Sequence, residues 1–184
     1  MTKARSQGKG LSRERIRAAA LELVDREGVE GLTMRALGRE CGVRAMSLYR
    51  YIANKDDLLD AVQEGIVAQM QPIEAELPWR AAVEASAREF RRVLAQHPRA
   101  IGLFVRPATT KQSLEQLERV WSILIEAGLS EVDALLALQS LLAFVVGQAM
   151  WQFTPDGDRN SDDEFEYGLE LMLLGLDAKL DASA

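Results

Sequence analysis

Histidine and cysteine are almost missing from this chain: His97 and Cys41 are the only ones among 184 residues. A single cysteine excludes a disulfide framework within the chain, which suits a reducing compartment, and the expected location is the cytoplasm. One histidine and one cysteine cannot build a His-rich metal site. No Glu-x-x-His pair, phosphate-cradling loop or Ser-His-Asp arrangement can be read. Neither an enzyme nor a cofactor or metal is therefore expected. Alternating runs of Val, Ile and Thr are lacking, while Ala, Leu, Glu and Arg dominate, so the composition points to an all-α fold. No apolar segment follows the basic start "MTKARSQGKG", and no signal peptide is expected. The most apolar stretch, "ALLALQSLLAFVVGQAMWQF", carries Gln139, Ser140 and Gln148 and reads as a buried helix; no membrane partner is expected.

Nearly half of the residues are apolar, enough for a core. The net charge of −6 hides an asymmetry. Residues 1–55 hold 12 Lys/Arg against 6 Asp/Glu, whereas residues 56–184 hold 10 against 22. The basic third could face nucleic acid; the acidic remainder could not do so readily.

The helical period recurs along the chain. Residues 1–11 read as a flexible basic arm. Ser12 caps a first helix with Ile16, Ala20, Leu23 and Val24 on one face, ending near Gly28. Thr33 caps a short second helix that Gly42 stops. A third runs from about Ala45 to Ile52. A fourth starts at Asn54, with Asp56 and Asp57 at its positive end, and stops before Pro72. Val83, Ala87, Phe90 and Leu94 mark a helix ending at His97-Pro98, followed by the short "AIGLFVR". Leu114, Leu117, Trp121, Leu124 and Ile125 mark another, closed by Gly128. Ser130 caps the long apolar helix, and a polar loop joins it to a last helix from about Asp163 to Leu180. About nine helices are expected.

Two short helices joined by a glycine turn match the helix-turn-helix pattern. In the second, Leu48 and Ile52 point inward, helped by Val43 and Ala45. Arg44, Met46, Ser47, Arg50 and Tyr51 are left outside. Arg can reach guanine O6 and N7 in the major groove, and Ser can reach either base pair. Tyr and Lys can grip phosphates, and the helix start at Asn54-Lys55 offers free N–H groups. The residues alone also admit Tyr49 as interhelical packing and Arg50 as a solvated arginine. Met46 could touch a thymine methyl or lie idle on the surface. Cys41 reads as a small buried apolar residue.

The run "GLTMRALGRECGVRAMSLYRYIANKDDLLDAV" resembles the DNA-binding signature of the TetR-type transcriptional regulators. Thr33, Leu37, Gly42-Val43, Leu48-Tyr49, Lys55 and Leu58-Leu59 stand in that family's order and spacing. The resemblance covers about residues 12–62. It implies an all-helical homodimer with a three-helix DNA-binding domain (12–55) and a helical ligand-binding and dimerisation domain (56–184). It further implies a roughly palindromic double-stranded DNA operator and a small apolar or amphipathic inducer, hence a repressor. By position, Arg35, Arg44, Ala45, Met46, Ser47, Tyr49, Arg50, Tyr51 and Lys55 resemble DNA contacts. Gly38 departs from the family's usual Ala, which weakens the second helix slightly, and Tyr51 stands where His or Phe-type aromatics are common.

The last helix carries two apolar stripes, one of Phe165, Leu169, Met172, Leu173, Leu176 and Leu180, the other of Tyr167, Leu171 and Leu174. One can bury in its own domain; the second needs a partner, and a four-helix bundle from two copies answers both. Leu142, Val146, Leu169, Met172, Leu173 and Leu176 are expected at that interface, with Gly147 and Gly168 allowing close helix approach. Phe90, Phe104, Trp121, Phe144, Gln148, Met150 and Trp151 are candidates for a ligand pocket. His97, at a helix end, is expected to satisfy carbonyls rather than to hold a ligand.

Overall fold

The computed structural model describes residues 11–74, 76–153 and 162–182. Residues 1–10 of the basic arm and most of the polar loop before the last helix lie outside the described residues. Eight α-helices are described: α1 (Arg13–Glu27), α2 (Met34–Cys41), α3 (Ala45–Leu48), α4 (Lys55–Val67), α5 (Trp79–Gln96), α6 (Lys111–Glu126), α7 (Glu131–Phe153) and α8 (Asp162–Asp181). "AIGLFV" belongs to a 3-10 segment, Pro98–Val105, which completes the expected nine; an unforeseen 3-10 turn, Val29–Gly31, precedes α2. No strand occurs among the described residues.

The expected caps form. Ser12, Thr33 and Asn54 accept from the backbone N–H of Arg15, Ala36 and Asp57. Each satisfies one of the orphan donors of a helix start. Two boundaries are shorter than the periodicity suggests. After Leu48 the chain tightens into turns, with Tyr51 N–H donating to Leu48 O, because Asn54 must be extended (φ −157°) to cap α4. α4 ends at Val67, before the Pro72 stop, and its last turn closes through Met70 N–H to Val67 O.

α1 packs on α4 and on α2, and α2 packs on α3. Ile16, Leu23, Leu37, Leu48, Ile52 and Leu58 are fully or nearly fully buried. The α2–α3 turn is a Schellman cap. Gly42 takes φ +69° and Val43 N–H donates to Gly38 O at 2.8 Å. Gly38 has a reason beyond propensity: a Cβ there would stand 3.0 Å from Val43 O and 3.1 Å from Ala45 N, so only glycine lets α3 cross this closely. Cys41 is buried, as expected, and burial pushes its thiol up.

α4 is shared. It packs on α1 and also on α5, α6 and the 98–105 segment, so buried residues from Ile16 to Leu173 form one continuous core. At this junction lies His97. Its Nδ1 is 2.9 Å from both carboxylate oxygens of Asp25 on α1, and its Nε2 faces the Gln69 amide after α4. Its ring does not cap carbonyls; it bridges three elements, because Asp25 and Gln69 meet beneath the end of α5. Nearby, Arg99 donates to Arg26 O at 2.7 Å.

α7 runs between α5, α6 and α8, burying Ala134, Leu138, Leu141, Val145 and Ala149. It is long and apolar enough to cross a membrane by length and composition. α8 lies against it, with Phe165 stacked on Phe144 at 5.4 Å. Long side chains tie α8 to α5: Arg88 to Glu166, Arg91 to Asp162, and Arg80 to Glu170 and Asp177. The bond from Arg88 holds the Glu166 carboxyl below the usual glutamate range.

Candidate nucleic-acid interface and ligand cavity

Leu48 and Ile52 are inaccessible and anchor α3. That fixes which side chains face out. Arg44, Tyr49 and Arg50 are exposed, and Met46 is 76% exposed. Ala45 and Ser47 are half-buried beside them. Tyr51 is half-buried against the core and offers its ring to the Arg50 guanidinium at 5.8 Å. Arg35, at the start of α2, and Lys55, at the start of α4, are exposed on the flanks. The turn carrying these groups is held from behind: Arg13 donates to Tyr51 O at 2.8 Å and to Asp57 Oδ1 at 2.6 Å.

Many of the arginines are paired. Arg13, Arg17, Arg26, Arg80, Arg88, Arg91, Arg92 and Arg106 all have carboxylate partners. Arg35, Arg44, Arg50 and Lys55 have none among the described residues. Arg39, exposed on α2 and likewise without an acid partner among the described residues, was not singled out in the sequence. Arg99 and Arg119, away from α3, also lack an acid partner among the described residues; it is the clustering of unneutralised cations around α3 that suits a polyanion.

The second feature is a cavity of about 560 Å³ between α4, α5, α6, α7 and the 98–105 segment. It falls within the roughly 300–1,000 Å³ typical of small-molecule sites. Phe90, Phe104 and Met150, named as pocket candidates from the sequence, line it. Trp121, Phe144, Gln148 and Trp151 do not. Trp121 donates its Nε1–H to Glu131 O, Phe144 is spent on Phe165, Gln148 is half-buried elsewhere on α7, and Trp151 faces outward. Sequence reasoning missed Gln63 and Arg106. Gln63 interrupts the apolar face of α4 between Val62 and Ile66, which was the available signal.

The expected interface residues are redistributed. Leu142 and Val146 line the cavity. Leu169 and Leu173 are buried in the protomer's own core, with Met172 and Leu176 packed against it. The stripe containing Phe165 goes inside, where Phe165 is fully buried and stacks on Phe144. A Cβ at Gly168 would stand 2.5 Å from Phe144 Cε2, so this glycine serves packing within the protomer. The open apolar face is the other stripe, Tyr167, Leu171 and Leu174. α7 also exposes Val132, Leu135, Leu136 and Trp151, and its exposed Ala143 and Gly147 line the cavity.

Residues 16–62 match "Bacterial regulatory proteins, tetR family", and residues 71–152 match "Tetracyclin repressor-like, C-terminal domain". An HTH-type transcriptional regulator of Saccharopolyspora erythraea is 33% identical over 157 residues, covering 82% of this chain and 66% of the relative. The crystal structure of a TetR variant from Acinetobacter baumannii AYE in complex with minocycline has a TM-score of 0.83 at 28% identity, covering 92% of this chain and 98% of that one. That of BioQ with its double-stranded DNA operator has a TM-score of 0.76 at 30% identity, covering 91% and 99%. The chain belongs to the tetR family and is a helix-turn-helix, DNA-binding transcriptional regulator.

Proposed function

We propose that this regulator is a repressor that binds a twofold-symmetric DNA operator as a homodimer and leaves it when a small molecule fills the cavity. One observation carries the reading: the cavity and the DNA-reading head share α4. Gln63 and Val67 line the cavity, and Lys55 begins the same helix directly after the recognition turn. A ligand pressing on the wall moves the element that positions the head. Such a linkage is typically worth about 1–3 kcal/mol.

Arg35, Arg44, Met46, Ser47, Tyr49, Arg50 and Lys55 form the DNA-facing set, with Ala45 permitting close approach and Tyr51 supporting Arg50. Arg39 joins them on the flank. A second copy covers Tyr167, Leu171, Leu174 and the outer face of α7, since an unpartnered apolar stripe this long favours association. Two heads then meet successive major grooves about 34–36 Å apart or a multiple of that. The apolar stretch of α7 serves this contact rather than a bilayer, the protein acts in the cytoplasm, and it has no catalytic role.

The test is capture and sequencing of genomic fragments by the purified protein, followed by titration of the recovered site. Affinity for one palindrome that falls steeply with salt supports the reading. Binding indifferent to sequence would refute it.

A further inference from the structure

We infer that the cavity selects an uncharged, predominantly apolar ligand and rejects anions, cations and metal chelates built on the same skeleton. The inference rests on reading the cavity as the inducer site. Most of the wall is apolar, from Val83, Phe90 and Phe104 to Leu138, Leu142 and Val146. Five lining side chains are polar: Gln63, Ser86, Arg106, Ser113 and Gln116.

Four of the five are engaged with the protein itself. Gln63 donates Nε2–H to Leu103 O at 2.8 Å, and Ser86 donates to Ala82 O at 2.7 Å. Ser113 Oγ accepts from Thr110 Oγ1 at 2.9 Å. Arg106 donates from Nη2 to Asp56 Oδ1 at 3.1 Å, and its inaccessible Nη1 faces Asp60 Oδ1 at 3.4 Å. Gln116, half-buried on α6, is the one without a hydrogen bond among the described residues, and its amide is neutral. Backbone N–H groups inside the helical walls are bonded to the preceding turn and add no free donors.

Charge decides what can enter. Among the described residues, Arg106 is the one charged member of the lining. Two carboxylates already face its guanidinium, so the cluster of Arg106, Asp56 and Asp60 carries one excess negative charge. An anionic head group finds no free cation there and meets net repulsion. A cationic head group finds no carboxylate in the wall, because Asp56 and Asp60 stand outside the lining and hold Arg106. The lining has no imidazole or thiol either, so nothing in it takes hold of a chelated metal. Either ion would give up its water shell for a wall that returns no partner, a cost an uncharged ligand does not carry.

Fluorescence titration of the full chain compares N-phenyl-1-naphthylamine with 8-anilino-1-naphthalenesulfonate, the same skeleton with and without an anion. Methyl decanoate, decanoate and decylammonium then compete for the bound naphthylamine. The expected result is one naphthylamine per chain, at least about tenfold tighter than the sulfonate, with methyl decanoate displacing it at least about tenfold better than either ion. Apolarity alone would favour the neutral probes on any greasy surface, so a charge placed in the wall locates the effect. Leu117→Lys puts a cation on the α6 side of the cavity. It should reverse the preference toward the sulfonate and decanoate and leave decylammonium weak. Gln116→Lys, half-buried on the same wall, makes the same test if the first variant does not fold. Ions that bind as tightly as their neutral counterparts, a preference that a folded lysine variant leaves unmoved, or a wild-type cavity that takes up none of the probes would overturn the inference. Release of captured operator DNA is measured in parallel. If the neutral probes bind with the expected preference but DNA is not released, the inducer reading falls and the ligand chemistry stands. If decanoate binds best and releases DNA, the ligand chemistry falls and the inducer reading stands.

Discussion

Leu171→Ala removes an apolar contact from the face that α8 leaves open. Leu171 is 52% exposed in the protomer. Burying a whole leucine is worth about 1.5–3 kcal/mol, so covering its exposed half contributes about 1 kcal/mol. A twofold interface uses every residue twice. The variant therefore loses about 2 kcal/mol per dimer, roughly a thirtyfold rise in the dissociation constant. Leu171→Asp adds the penalty of a desolvated carboxylate and should leave monomers at micromolar concentration. Leu173 supplies the control: it is 1% exposed and faces inward. Leu173→Ala should cost the protomer about 2–5 kcal/mol through the cavity it creates, with less effect on association among molecules that remain folded. Sedimentation velocity over a dilution series, paired with denaturant midpoints, separates the two effects. If Leu173→Ala dissociated the dimer while both Leu171 variants left it intact, the assignment of stripes would be wrong.

Other outcomes are expected. Arg50→Ala should weaken operator binding by about 1–3 kcal/mol if the guanidinium pairs bidentately with a base; an unchanged titration would remove Arg50 from the interface. Gly42→Ala places a Cβ at φ +69° and should cost about 1–2 kcal/mol of stability, read from the denaturant midpoint. Gly38→Ala should displace α3, because the atoms in its way are backbone. Its loss of DNA affinity should exceed its loss of stability, and equal losses would argue against that crossing as the constraint. Glu166 and Glu89 have native carboxyls lowered first by hydrogen bonds from Arg88 and Arg92. Their stabilisation is present above the ordinary glutamate range and is lost as pH falls through the depressed native values. Arg88→Gln should flatten that acid limb, and an unaltered profile of urea midpoint against pH would count against the Arg88–Glu166 contribution.

Local chemistry is what the sequence announces well. Ser12, Thr33 and Asn54 cap helices because a short polar side chain before an apolar period has few better uses, and Gly28, Gly42 and Gly128 close them with positive φ. The inward turn of Leu48 and Ile52 follows from spacing alone, and with it the outward set around Arg50. The long-range arrangement was less legible. α8 has two apolar stripes of similar strength, and only the Phe144–Phe165 stack decides which goes inside. The cavity is space that neighbouring helices fail to fill, so aromatic content misleads: Trp121 and Phe144 are consumed in packing, whereas Gln63 and Arg106 matter through partners 40 and 50 residues away.

The continuous core running through α4 limits how this protein can be recombined. A chimera that grafts the reading head of one relative onto the effector chamber of another must cut somewhere near Asn54. Both sides of that cut pack on the same short rod, α1 on one side and α5, α6 and the 98–105 segment on the other, with Gln63 and Val67 at the cavity. Successful hybrids should therefore inherit α4 together with matched residues at Asp25, His97 and Leu103, and junctions that ignore those three positions should yield proteins that bind operator yet no longer respond to effector.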